Sequence, residues 1–128
     1  MEKNLVNLFL LIIGVLLVVG SAAYFLQAND AKNSTKLDGF ADCLASKGAK
    51  FYGAFWCPHC QDQKKLFGTS KKYLPYVECS SPDSKVQLQV CADAKIQVYP
   101  TWQFANGAKQ EGEMSLKELA DKTGCALP

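Results

Sequence analysis

The sequence predicts an α/β domain, in which a central mixed sheet is flanked by helices, preceded by an N-terminal transmembrane helix. The stretch Leu5 to Leu26 is apolar over 22 residues, and no charged side chain falls between Lys3 and Asp30. The rest of the 128-residue chain carries alternating helix and strand patterns and ends in a strand-turn-strand signal followed by a helix. These remaining residues, about 100, are enough for one domain. A multidomain enzyme is therefore excluded.

The apolar stretch is long enough to cross a membrane. As a helix it would measure roughly 33 Å, about the thickness of the bilayer's hydrocarbon core. A cleaved secretory signal is the alternative, because Ser21-Ala22-Ala23 has the small residues of a cleavage site. We favour an uncleaved anchor over residues 1–28, because residues 24 to 26 continue the apolar run beyond that site. Either interpretation predicts an extracytoplasmic domain, periplasmic or on the cell surface, where disulfides persist.

Residues 29–36 are polar and are interpreted as a linker, so that the folded domain is expected over residues 37–128. Its first helix is predicted from Leu37, with Ser34 or Thr35 as the cap and Gly48 at the end. A buried strand over residues 50–56 follows. The next predicted elements are a helix over Pro58–Phe67, with Gly68 just beyond it, and a strand over Tyr73–Cys79. The segment Ser84–Ile96 fits a strand or a helix, and we favour a helix capped by Asp83 or Ser84. A hairpin of residues 101–105 and 108–111 follows.

Two local signals are the clearest. Asn106-Gly107 predicts a type I′ turn in the hairpin. Ser115 and Glu118 form a capping box that predicts the start of the last helix, which Gly124 ends. Parallel crossovers are therefore expected early in the chain and an antiparallel hairpin late.

The charge pattern makes nucleic acid an unexpected partner. Fourteen basic residues, all of them Lys, stand against twelve acidic ones, for a net charge of +2. No dense positive run is present, and the absence of Arg removes the bidentate phosphate contact.

The motif Cys57-Pro58-His59-Cys60 predicts a redox site at the start of a helix. The unpaired N–H groups and the helix dipole stabilise a thiolate on the first cysteine, so Cys57 is the expected nucleophile. Cys60, one turn further, is expected to resolve the mixed disulfide. His59 can add positive charge or a donor near Cys57, which makes the disulfide a stronger oxidant.

Other functions of a CxxC motif fit less well. A zinc site lacks a second ligand pair, c-type haem attachment needs a His where Gln61 stands, and a purely structural bridge this short adds little stability. A Cu(I)-binding module using Cys57, Cys60 and His59 is a non-enzymatic alternative. No metal and no cofactor beyond the Cys57–Cys60 disulfide is expected.

The segment Tyr99-Pro100-Thr101 precedes a predicted strand. A proline there is either an edge residue or a cis bend, and a trans bond is the default.

The sequence resembles the thioredoxin superfamily in four segments, FYGAFWCPHCQDQKKLFG (51 to 68), YVEC (76 to 79), YPTW (99 to 102) and TGC (123 to 125). Within that superfamily, these segments resemble the thioredoxin-like domain fused to, or partnering, bacterial and plant homologues of vitamin K epoxide reductase. The resemblance covers about Leu37 to Cys125. It implies a thioredoxin fold with a cis Pro100 facing the cysteine pair. Tyr99 would then offer backbone hydrogen bonds to an extended substrate, and Trp56 and Pro100 are the other expected substrate-binding residues.

The resemblance also implies a function and partners. The pair would pass oxidising equivalents from a membrane quinone reductase to reduced secreted or membrane proteins. Because the sequence holds no four-helix reductase domain, such a partner is expected in trans. Phe51 replaces the buried acid that many thioredoxins carry six residues before the first cysteine.

The four outer cysteines are expected to be structural. Cys79 and Cys91 are expected to form a disulfide across one crossover, which resembles a bridge in the same family, and Cys43 and Cys125 then remain to join the first helix to the C-terminal end. Six cysteines allow fifteen pairings, and a relay role for one outer pair stays open. The expected function is a membrane-tethered thiol:disulfide oxidoreductase acting as an oxidant, with a reductase or isomerase, for example in cytochrome c assembly, as the alternative.

Overall fold

The computed structural model describes residues 2–34 and 37–128. The first unit is one helix, α1 (Glu2–Ser34). Its stretch Val6–Tyr24 has a mean hydropathy of 2.6, so α1 is long and apolar enough to cross a membrane by length and composition. The predicted membrane helix is confirmed as a candidate span.

Helix α1 continues beyond the apolar stretch into the predicted linker, as far as Ser34. Extending an existing helix adds one hydrogen bond per residue without a new nucleus, so polar residues can follow an apolar helix without an apolar face of their own. Residues 35 and 36 lie outside the described residues, and the predicted cap Thr35 lies there with them.

The second unit is the folded domain. Within the described residues it has four further helices, α2 (Asp38–Ser46), α3 (Pro58–Lys65), α4 (Gln89–Asp93) and α5 (Leu116–Thr123), and a 3₁₀ helix (Gly68–Tyr73). Its four strands are β1 (Lys50–Gly53), β2 (Tyr76–Glu78), β3 (Thr101–Gln103) and β4 (Lys109–Glu111). The sheet order is β2-β1-β3-β4. Strand β2 runs parallel to β1, while β3 and β4 are antiparallel to their neighbours. The predicted thioredoxin fold, a mixed sheet flanked by helices, is confirmed.

The strands and the second helix are shorter than predicted. Strand β1 ends at Gly53 because the Cys57 N–H bonds back to the Ala54 carbonyl at 3.0 Å and turns the chain. Strand β2 begins only after Pro75, which has no N–H to donate. Helix α2 begins after Leu37, which makes no side-chain cap, so the predicted cap Ser34 is wrong.

The segment after β2 is helical over only part of the predicted length. Ser84 has a φ of 60° and lies in a turn, so neither it nor Asp83 caps a helix. Gln87 instead pairs with Ser80 in an isolated antiparallel bridge. Helix α4 starts at Gln89, and the helical prediction is wrong for residues 84–88.

The hairpin forms where predicted, but its turn type is different. A type I′ turn needs positive φ at both central residues, and of Asn106 and Gly107 only Gly107 has one, of 82°. The Gly107 N–H donates to the Phe104 carbonyl at 2.8 Å, and the Phe104 N–H donates to Ala108 at 2.9 Å. This is the pattern of a type I turn followed by a glycine bulge, because glycine alone takes the left-handed conformation without steric cost.

The core lies between the sheet and the helices. Phe51 is fully buried, and its ring stacks on Trp102 with centroids 4.9 Å apart and meets Tyr76 edge-on at 5.2 Å. Helix α5 begins at the predicted capping box, with both hydrogen bonds present, and ends at Gly124. Its Leu119 is fully buried in the same cluster.

Candidate active site

Cys57 stands at the N-cap of α3, and Pro58 is the first residue of that helix. Proline suits this position because its missing N–H would have no partner there and its fixed φ is already helical. Cys57 is 5% exposed, and its thiol is not part of a disulfide. The sulfur therefore lies at the positive end of a helix, the place where a thiolate is stabilised.

The Tyr99–Pro100 segment faces Cys57. The peptide bond between Tyr99 and Pro100 is cis. The Cys57 thiol donates a hydrogen bond to the Tyr99 carbonyl, with an Sγ to oxygen distance of 3.6 Å. The structure therefore brings together the two segments that the sequence singled out, although they lie about forty residues apart.

Cys60 lies on the first turn of α3 with no exposure to solvent, and it too is a free thiol. Burial raises the pKa of the Cys60 thiol to about 12, helped by Cys57, while a backbone hydrogen bond with Ala54 and the charge of Lys64 act against the rise. Cys60 is thus held protonated and, unlike Cys57 with its 5% exposure, has no contact with solvent.

His59 reaches a partner that the sequence did not indicate. Its Nδ1 lies 2.6 Å from a carboxylate oxygen of Glu113, in the segment before α5. Because the His59 side chain is 71% exposed, we expect this pair to add less than about 1 kcal/mol to stability. Its importance is that Glu113 places a negative charge beside the one histidine of the chain.

Trp56, which precedes Cys57, and Tyr99, whose carbonyl accepts from the Cys57 thiol, line a pocket of about 210 Å³. Trp56 is 51% exposed, and its ring meets Tyr99 edge-on at 6.3 Å. The indole N–H of Trp56 donates to the hydroxyl of Ser80 at 2.8 Å. The far wall comes from the turn after β2, which contributes Val86 and Gln87. The turn that the sequence left ambiguous therefore forms one side of this pocket.

Glu78, at the end of β2, organises the turn before Cys57. One of its oxygens accepts hydrogen bonds from three backbone N–H groups, those of Phe55 at 3.2 Å, Cys79 at 3.1 Å and Ser80 at 2.9 Å. The other accepts from the Tyr76 hydroxyl at 2.8 Å. Burial and this hydrogen bond raise the pKa of Tyr76. Sequence reasoning missed Glu78, and the only signal was an acidic residue at the end of a predicted strand.

The four outer cysteines form two disulfides. Cys43 is joined to Cys125 and Cys79 to Cys91, with S–S distances of 2.07 and 1.99 Å. Cys79–Cys91 is the bridge expected from the family resemblance, Cys43–Cys125 is the pair expected from the cysteines that then remain, and Cys57 and Cys60 are the free pair. Among residues 2–34 and 37–128, no group of three or more His, Cys, Asp or Glu side chains could hold a metal ion.

Gly53 leaves space for Cys60, another feature that the sequence did not indicate. A Cβ at this position would lie 2.8 Å from the Cys60 Sγ and 3.0 Å from the Tyr76 ring. We expect Gly53→Ala to displace Cys60 and to lower the free energy of unfolding by about 1 to 3 kcal/mol. Denaturant unfolding of the full chain, followed by tryptophan fluorescence, measures this loss.

The matched control is Gly39→Ala in α2, where an added Cβ meets nothing within 4 Å. This change is expected to be neutral or to stabilise the helix by up to about 1 kcal/mol. Equal stabilities of the two variants would contradict the close contact at Gly53.

No protein-family model matches this chain. The chain is 44% identical over 109 residues to the thiol-disulfide oxidoreductase LTO1 of Arabidopsis thaliana. The aligned part is 81% of this chain but only 28% of the relative's length. Over most of its own length, the chain is therefore related in sequence to part of a curated thiol-disulfide oxidoreductase.

Proposed function

We propose that this protein is a membrane-tethered, extracytoplasmic thiol:disulfide oxidoreductase that oxidises the thiols of secreted or membrane proteins through Cys57 and Cys60. The observation that carries the proposal is the environment of the pair. Cys57 caps a helix beside the Tyr99 carbonyl, Cys60 is buried one turn further, and the other four cysteines are joined in disulfides. The similarity to a thiol-disulfide oxidoreductase over 81% of the chain supports the same chemistry.

The oxidising reaction follows from this geometry. A client thiolate attacks the Cys57 sulfur of the Cys57–Cys60 disulfide, so that a Cys57–client bond forms and the electron pair of the broken bond leaves on Cys60. A second client thiolate then attacks the client sulfur and releases Cys57 as a thiolate. The client loses two electrons to the cysteine pair. The N-terminal end of α3 stabilises the released Cys57 thiolate, which favours the forward direction.

The pocket beside Trp56 and Tyr99 supports a role in holding the client. An extended peptide that bonds to the backbone at Tyr99 and Pro100 would bring its cysteine to the Cys57 sulfur. We propose that Trp56 supplies apolar contact there, and that His59 favours the reduced form of the pair.

Reoxidation requires an electron acceptor. We propose a quinone reductase similar to vitamin K epoxide reductase, acting in trans on the same membrane. The candidate span Val6–Tyr24 supports a membrane location. Two disulfides in a domain of this size support the oxidising side of that membrane.

The test is to substitute Cys60→Ala in the native membrane. The Cys57 thiolate can still attack a disulfide of a client or of the quinone reductase, but nothing resolves the product, so mixed disulfides are expected to accumulate. They are detected on non-reducing gels and their partners identified by mass spectrometry. The control Cys57→Ser with Cys60→Ala should trap nothing. Absence of trapped species, together with stoichiometric Cu(I) binding, would contradict the proposal.

The midpoint potential of the Cys57–Cys60 pair decides whether the protein oxidises or reduces its clients. A value of about −120 mV, as in strong oxidants, is expected, whereas a value of about −270 mV would indicate a reductase.

A further inference from the structure

We propose that Lys64 is a positioning residue that stabilises negative charge on the Cys60 sulfur whenever the Cys57–Cys60 bond opens or closes, and that Tyr76 and Glu78 hold its ammonium group in place. The inference rests on the proposed function, because it concerns the step in which Cys60 acts.

The burial of Cys60 creates the need for such a group. When a client thiolate attacks Cys57, the electron pair leaves on a sulfur that has no exposure to water. In the reverse step, Cys60 gives up its proton, attacks the Cys57 sulfur of the mixed disulfide and expels the partner as a thiolate, which takes up a proton in turn. Both steps pass through a state with charge on the Cys60 sulfur. A nearby cation makes this sulfur a better leaving group and increases its thiolate fraction.

Lys64 is placed to supply that cation. It follows Cys60 by four residues on α3, so the two side chains project from the same face of the helix. The Lys64 Nζ lies 3.3 Å from the centroid of the Tyr76 ring. The Tyr76 ring and the Cys60 sulfur cover the same face of Gly53, since a Cβ there would meet both within 3.0 Å. Lys64 and Cys60 therefore both lie against the Tyr76 side chain.

The position of Lys64 is fixed by the groups around it. A cation over an aromatic face is attracted by the electrons of the ring. The ring itself is anchored, because its hydroxyl donates to a Glu78 oxygen at 2.8 Å. Glu78 is held in turn by backbone N–H groups on both sides of the site, including that of Phe55. Burial lowers the pKa of Lys64, and the charges of Glu78 and Cys60 oppose that change and favour the ammonium form.

The titratable and charged groups that act on Cys60 and Lys64 come from three elements. They are Cys57 at the N-cap of α3 and Lys64 within it, Tyr76 and Glu78 on β2, and Lys71 on the 3₁₀ helix, which acts on Lys64. Within this set, Lys64 is the cation that lowers the pKa of Cys60. Its removal leaves the buried sulfur beside Cys57 without a compensating positive charge.

This arrangement predicts that removing the Lys64 charge changes the rate at which Cys60 reacts without changing the midpoint potential of the cysteine pair. At pH 7 the reduced protein holds Cys60 as a neutral thiol, because its pKa of about 12 lies far above that pH. Lys64 then acts on the charged state that the reaction passes through and leaves the energies of the neutral thiol and the disulfide nearly unchanged. Replacing a residue that only supports the fold would not slow the attack by Cys60 while leaving the midpoint potential unchanged.

The experiment uses the reduced full-length protein and glutathione disulfide in a stopped-flow instrument, followed by tryptophan fluorescence. The first phase, attack by Cys57, is bimolecular. The second, attack by Cys60 with release of glutathione, is unimolecular. In Lys64→Met the second phase is expected to slow about three- to tenfold at pH 7, while the first phase and the midpoint potential stay unchanged. In both proteins the second phase should become faster as the pH rises from 7 to 9.

Two further variants isolate the charge. Lys64→Arg keeps a cation that can stack on Tyr76 and is expected to retain the rate of the second phase. Lys65→Met removes the next lysine, which is exposed and paired with Asp62, and should change neither phase. An unchanged second phase in Lys64→Met, or an equal loss in Lys64→Arg, would overturn the inference. If the unsubstituted protein shows neither phase, the proposed function fails and this inference fails with it.

Discussion

Removal of the Cys43–Cys125 disulfide by the paired substitution Cys43→Ala and Cys125→Ala is expected to lower the free energy of unfolding by about 4 to 5 kcal/mol. The bond closes a loop with a sequence separation of 82 residues, so it removes a large part of the entropy of the unfolded chain. It joins α2, the first element of the folded domain, to the segment that follows α5, the last element. Denaturant unfolding of the full chain under non-reducing conditions measures the effect.

The second disulfide provides an internal comparison. Cys79–Cys91 closes a loop of only 12 residues, so the same reasoning gives about 3 kcal/mol for its removal. The loss for the Cys43–Cys125 pair should therefore exceed the loss for the Cys79–Cys91 pair. The reverse order would show that the entropy of the unfolded chain does not dominate these contributions.

Introducing an acid at the position six residues before Cys57, as Phe51→Asp, is expected to destabilise the domain by about 5 kcal/mol, enough to unfold a marginal domain. Phe51 is fully buried between the rings of Trp102 and Tyr76. The change removes these contacts and places a carboxyl group among apolar side chains. Loss of the cooperative transition in thermal unfolding, followed by circular dichroism, is the expected result.

Phe51→Leu is the matched control, because it keeps an apolar side chain of smaller volume at the same place. It should retain a cooperative transition at a lower temperature, with a loss of about 1 to 2 kcal/mol. Equal unfolding temperatures for Phe51→Asp and Phe51→Leu would contradict the expected cost of burying a carboxyl group at this site.

The parts of the fold that the sequence predicts correctly are specified locally. Helix α5 starts at Ser115 because its hydroxyl and the Glu118 carboxylate satisfy each other's backbone N–H groups, and both residues lie within one turn. Helix α3 starts at Pro58 for a similarly local reason. The Asn106-Gly107 pair predicts the place of the hairpin, but the turn type depends on how β3 and β4 pair, which local sequence does not specify.

The surroundings of Cys60 could not be predicted in the same way. Gly53, Lys64 and Tyr76 come from three different elements, and their meeting depends on the parallel register that pairs Gly53 with Glu78 across β1 and β2. A register of this kind follows from packing of the whole domain. Likewise, residues 84–88 carry both periodicities, and their bridge to Ser80 is made by contacts outside that segment.

The Cys79–Cys91 disulfide lies at the pocket that Trp56 and Tyr99 line. Cys79 lines the pocket beside Trp56 and Tyr99, yet both sulfur-bearing side chains are 0% exposed. A thiolate can exchange only with a sulfur that it can approach in line with the existing bond. In the proposed reaction, an incoming client thiol would therefore be screened from Cys79 and Cys91, and exchange at Cys57 would leave this second disulfide intact.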